Sequence, residues 1–165
     1  MILGAAADAD AALTRPDISS LFDTWRHLET ILIASANLSK IFWGNFSESR
    51  IREREPVRTV LGVPDDSPLR DRGIRNDFEH FDQRLIDHFA PGKPRLYLGR
   101  NIGSHDAVMI EGHHVTDRFQ HYDPTTGVVT FFEHSVPIPP LARAAEAILQ
   151  AAQARRLPQI PPHPA

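Results

Sequence analysis

The run Arg75-Asn76-Asp77-Phe78-Glu79-His80 gathers an arginine, an amide and a histidine within two turns of a helix. A histidine titrates near neutrality and can give or take a proton there, while a guanidinium offers paired donors to phosphoryl or carboxylate oxygens. An asparagine beside them can orient either group. In such a set His80 is the general acid or base, Arg75 stabilises charge gathering on oxygen, and Asn76 positions. Glu79, Arg72 and Gln83 fall on the same side and support them.

The element that must position these groups is a helix from Ser67 to Ala90. Ser67 can accept from unpaired backbone amides, Pro68 suits the first helical position, and Pro91-Gly92 ends the run. Ile74, Phe78, Phe81, Leu85 and Phe89 recur at helical spacing and define a core face. Opposite them lie Arg72, Arg75, Asn76, Glu79, His80, Gln83 and Asp87. Gly73 costs about 1 kcal/mol of helix propensity relative to alanine and allows a close approach by a neighbour. The same polar face also reads as a surface ion-pair ladder in which Arg75 meets Glu79, and to which Arg72 and Asp82 belong. Arginine and histidine recur at this separation in Arg100-Asn-Ile-Gly-Ser-His105, but in a glycine-containing loop or strand where helical geometry is absent.

The Arg75 to His80 run resembles the signature of HEPN domains, in which an arginine and a histidine four to six residues further on share one helix and a polar residue often follows the arginine. Arg75, His80 and Asn76 match those positions. The resemblance covers the helices from Asp17 to Ala90 and the C-terminal helix from Leu141 to Arg156. It implies a helical bundle that forms a homodimer, so that two motifs line one cleft. It also implies a metal-independent endoribonuclease of toxin or defence type, with RNA as substrate and a nucleotidyltransferase-like antitoxin as partner. RNA can be cut without metal because its own 2′-hydroxyl attacks the neighbouring phosphate, a reaction suited to His80 and Arg75. A function of a different class stays open: a noncatalytic dimeric binding or scaffold module that uses the same bundle.

The expected fold class is α+β, mainly helical: a bundle of about four helices, with a small antiparallel sheet inserted before the last one. All 165 residues form one domain, with helices over 17–90, strands over 95–134 and a C-terminal helix over 141–156. Residues 1–15 and 157–165 are expected as flexible tails. Asp17 caps a first helix whose Leu21, Trp25, Leu28 and Leu32 face the core; it runs to about Asn37, and Ser39 caps a short continuation bearing Phe42, Trp43 and Phe46. A second helix spans Glu48 to Leu61, with Ile51, Val57, Val60 and Leu61 as its apolar contacts, and Gly62-Val63-Pro64 stops it. The segments RLYLG, DAVMIEG, DRFQHYD and VVTFFEH read as strands, and Asp123 to Gly127 as the turn between the last two. The aromatic-rich edge at Val128 to Phe132 needs a partner or cover, a second argument for a dimer.

Composition narrows the classes. The absence of cysteine excludes disulfides, thiol nucleophiles and sulfur-ligated zinc, and it fits a cytoplasmic location. A net charge of −3 argues against a nonspecific nucleic-acid coat; Arg50, Arg52, Arg54 and Arg58 alternate with acids and read as a solvated face. The nine histidines, among them His113, His114, His121 and His134, show no diagnostic metal spacing, so neither metal nor cofactor is expected. There is no basic segment ahead of the apolar start, hence no signal peptide, and no apolar run long enough to span a membrane.

Overall fold

The computed structural model of the protein describes residues 1–15, 17–44, 47–71, 73, 76–77, 80–91, 99–104, 111, 120–132 and 134–155. It is α+β and mainly helical, with a small sheet preceding the C-terminal helix. Five α-helices occur among the described residues: α1 (Ile2–Leu13), α2 (Ile18–Trp43), α3 (Glu48–Leu61), α4 (Phe81–His88) and α5 (Ile138–Ala154). Between α4 and α5 lie β1 (Asn101–Ile102), β2 (Gln120–Asp123), β3 (Val128–Phe131) and β4 (His134–Pro137).

The organising element is α2. Asp17 caps it by accepting the Ser20 N–H at 2.7 Å, which satisfies an amide with no partner inside the helix. Trp25, Leu28, Ile31, Leu32, Phe42 and Trp43 are all buried along its length. The break expected after Asn37 does not occur. Ser39 lies buried within the helix rather than capping a new one, because continuous apolar contact outweighs a local cap signal. Residues 1–15, expected as a flexible tail, instead supply α1, which lays Ile2, Ala5, Ala9 and Ala12 against α2. Small side chains at four-residue and three-residue intervals allow that close helix contact.

Helix α3 has the expected bounds, with Ser47 accepting from Arg50 N–H at its start and Gly62 in the left-handed region at its end. Val57 and Val60, expected as core contacts, are exposed, while Arg58 from the supposed solvated face is buried. Its guanidinium donates to Phe42 O at 2.7 Å and Ile51 O at 2.9 Å, pairs with Asp65 at 3.3 Å and lies over the Trp43 ring. Arg50 and Arg52 stay on the expected solvated face and form ion pairs within the helix, with Glu53 and Glu48.

The sheet is mixed, in the order β1-β2-β3-β4. Strand β1 runs parallel to β2, and the other two pairings are antiparallel. The segment VVTFFEH, read as one strand, contains the end of β3, a reversal at Phe132 and the start of β4, so that Phe131 pairs with His134. Strand β3 is therefore interior, and its edges are covered by β2 and β4 rather than by a second subunit. Val129 and Phe131 face the core, together with Tyr122 and Val136. The turn from Asp123 to Gly127 is as expected, with Asp123 accepting the Thr125 N–H at 2.9 Å and Gly127 at φ 66°. Helix α5 begins three residues earlier than expected, with Pro139 in its first turn. The expected strands over 95–98 and 106–110, and the tail 157–165, lie outside the described residues.

Candidate functional site

The single helix expected from Ser67 to Ala90 is interrupted. Ser67 caps only a 3₁₀ turn, Pro68–Arg70, after which the backbone extends at Asp71 (ψ 135°). Asp71 Oδ1 then accepts the Gly73 N–H at 2.8 Å, a local side-chain bond that competes with helix formation. A second departure falls at His80 (φ −120°, ψ 32°), and α4 starts one residue later. Hydrogen bonding nevertheless runs through it: His80 N–H donates to Asn76 O at 3.0 Å, and Arg84 N–H to His80 O at 2.9 Å.

Of the six residues expected to form the site, Arg75, Arg72 and Glu79 lie outside the described residues. His80 is exposed and Asn76 is partly buried one turn before it. No described carboxylate pairs with the His80 ring. Gln83 is turned toward the next turn of α4, where its amide donates to Asp87 Oδ1 at 3.0 Å.

The residue that sequence reasoning missed is Asp77. Its side chain is 1% exposed, and it is met by two partners from different elements. Nδ1 of His134, on β4, lies 2.7 Å from Oδ2, and Nε of Arg84, on α4, lies 2.9 Å from Oδ1. A carboxylate taken out of water costs several kcal/mol unless it is paired, which accounts for the two partners. Both are nearly half exposed, 42% for Arg84 and 43% for His134. The cluster is therefore anchored in the interior and open at its rim.

Two backbone features deliver His134. Phe132 adopts φ 52°, a left-handed conformation that costs a non-glycine residue about 1–2 kcal/mol. Its ring stacks edge-on against Phe131 and lies 6.1 Å from Phe81 of α4, so aromatic packing holds the tight reversal and fastens the hairpin to that helix. At Gly73, a Cβ would come within 2.3 Å of His134 Cδ2. The close approach expected of this glycine is thus made by an imidazole.

A signal for Asp77 was present in the helical spacing. Asp77 precedes Phe81 by four residues and Arg84 follows it by three, so both flank the phenylalanine stripe rather than the polar face. An acid on a core margin calls for a partner. That the partner is His134, 57 residues away, has no local signature.

Asp17 is held below the ordinary carboxylate range by the Ser19 hydroxyl and the Ser20 amide, and Asp23 by Arg15. Backbone and side-chain donors at Thr125 and Thr126 lower Asp123, and burial raises the Tyr122 hydroxyl. Among the described residues no three His, Asp or Glu side chains converge to hold a metal ion. The groove between α3 and α5, lined by Leu61, Pro64, Pro68, Ala144 and Ile148, contains none of the site residues.

Fold and site together define a mainly helical α+β protein in which a sheet histidine is locked onto a buried helix carboxylate. No protein-family model, curated protein or solved structure matches the chain.

Proposed function

We propose that this protein is a HEPN-like, metal-independent endoribonuclease of toxin or defence type, with His80 as general acid or base, Arg75 stabilising the phosphoryl oxygens and Asn76 positioning. The observation that carries this reading is the exposure of His80, with no described carboxylate in contact with its ring, one turn from Asn76. A proton-transfer group must reach its substrate unencumbered, and an imidazole at a helix start meets that condition. The reading includes a homodimer, cellular RNA as substrate, a cytoplasmic location and a protein antitoxin. With β3 interior to the sheet, the dimer rests on the motif resemblance alone. No helix among the described residues is long and apolar enough to cross a membrane.

The test is cleavage of a mixed RNA substrate in EDTA by the purified chain, beside folded His80→Ala and Arg75→Ala variants. Each substitution is expected to lower the rate by about 100-fold or more. Absence of cleavage by the wild type, or cleavage indifferent to both changes, refutes the reading.

A noncatalytic dimeric binding or scaffold module is the second reading. It is favoured by Ile18, Phe22 and Ile33, which are exposed along one side of α2. An RNA-inactive chain that sediments as a dimer, and becomes monomeric on Phe22→Glu, would support it.

A further inference from the structure

We propose, resting on the ribonuclease reading above, that His134 is the second proton-transfer group of the reaction, with Asp77 as its positioning residue and Arg84 as an additional cation at the phosphate. Cleavage by the 2′-hydroxyl needs two proton movements, one away from the attacking oxygen and one onto the departing 5′-oxygen, and one exposed histidine accounts for only one of them.

Asp77 supplies the geometry for the other. Accepting from Nδ1 at 2.7 Å, it fixes the imidazole in the tautomer that leaves Nε2 as the basic nitrogen, on a ring that is 43% exposed. Asp77, His80 and Arg84 follow one another at intervals of three and four residues, the spacing of neighbours along a single helical stripe. Backbone bonds from His80 to Asn76 and from Arg84 to His80 keep that spacing across the irregular turn. His134 contacts this carboxylate directly, and His80 follows Asp77 by three residues along the chain. Arg84 pairs with Asp77 through Nε at 2.9 Å and is 42% exposed, which leaves its guanidinium within reach of an incoming anion.

In the step itself, His134 Nε2 takes the proton of the 2′-hydroxyl as that oxygen bonds to phosphorus. The bond from phosphorus to the 5′-oxygen breaks, and that oxygen leaves with a proton from the His80 imidazolium. The products are a 2′,3′-cyclic phosphate and a 5′-hydroxyl. One proton is taken and one given, and no water, metal or redox partner is consumed.

The experiment compares an ordinary oligoribonucleotide with one whose scissile 5′-oxygen is replaced by sulfur, since a thiolate leaves without a proton. Both are incubated in EDTA with the wild-type chain and with His134→Gln, His80→Ala and Asp77→Asn, rates being normalised to the folded fraction measured by circular dichroism. His134→Gln is expected to lower kcat by about 100-fold or more on both substrates, with KM little changed. His80→Ala is expected to fail on the oxygen substrate and recover on the sulfur one. Asp77→Asn should lower kcat of the folded protein on both, which a purely structural carboxylate would not do. His134→Asn provides a second variant if His134→Gln folds poorly. Wild-type kcat in folded His134 variants, with His80→Ala inactive, would overturn the role of His134 and leave the ribonuclease reading standing. Recovery of the His134 variants on sulfur would overturn the assignment of base and acid. No cleavage of either substrate by the wild type would overturn both proposals.

Discussion

Arg58 and Asp77 are both buried charges, yet they are neutralised in opposite ways. Arg58 is enclosed: it donates to carbonyl oxygens of α2 and α3 and lies over Trp43, and its carboxylate partner Asp65 is the only part of the set well exposed to water. Asp77 is enclosed itself, but its two partners, His134 and Arg84, reach the surface. The first arrangement spends its donors on tying α3 to α2. The second holds a titratable ring and a cation in fixed positions at a solvent boundary, which is what a reactive site needs and a packing staple does not.

The largest effect that would sharpen this contrast is on stability. Arg58→Ala leaves two carbonyls without their donor, at about 1–3 kcal/mol each, and is expected to cost about 2–5 kcal/mol in urea unfolding. Asp77→Leu should cost clearly less, because the Arg84 guanidinium and the His134 ring that it leaves without a partner can turn to water. Equal losses would mean that the two sites are of one kind.

A glycine comparison tests the open site more gently. Gly73→Ala drives a methyl into the His134 ring and should destabilise by about 1–3 kcal/mol; under the proposed ribonuclease function it should also lower cleavage by displacing the imidazole. Gly4→Ala in α1 meets nothing within 4 Å and should stabilise by about 0.5–1 kcal/mol without affecting cleavage. Thermal melts and RNA cleavage on the same preparations decide both.

The smallest effect concerns acid stability away from either buried charge. Asp123 is lowered from its ordinary 3.8 in the folded chain, so its contribution is fully present above that pH and fades as pH falls through the lower folded value. Asp123→Asn keeps an acceptor for the Thr125 amide but no longer titrates. Its melting temperature should therefore fall less steeply below pH 3.8 than that of the wild type. Parallel acid limbs would remove Asp123 as a contributor.

The sequence by itself determined the features whose causes lie within a turn or two of chain. Asp17 as a cap, Gly62 as a stop, the bounds of α3 and the Asp123 to Gly127 reversal all depend on side chains next to the backbone they control. Mainly helical α+β character followed from the same local patterns. Tertiary structure decided what depends on partners far along the chain. It folded 2–13 onto α2, split one apparent strand into β3 and β4 at a strained Phe132, and interrupted the helix expected through His80. It also brought Asp77, on the core margin of that helix, to His134. The physical reason is one of cost. A capped turn is stabilised by its own neighbours, whereas a buried carboxylate is tolerated only once folding has brought a histidine and an arginine to it.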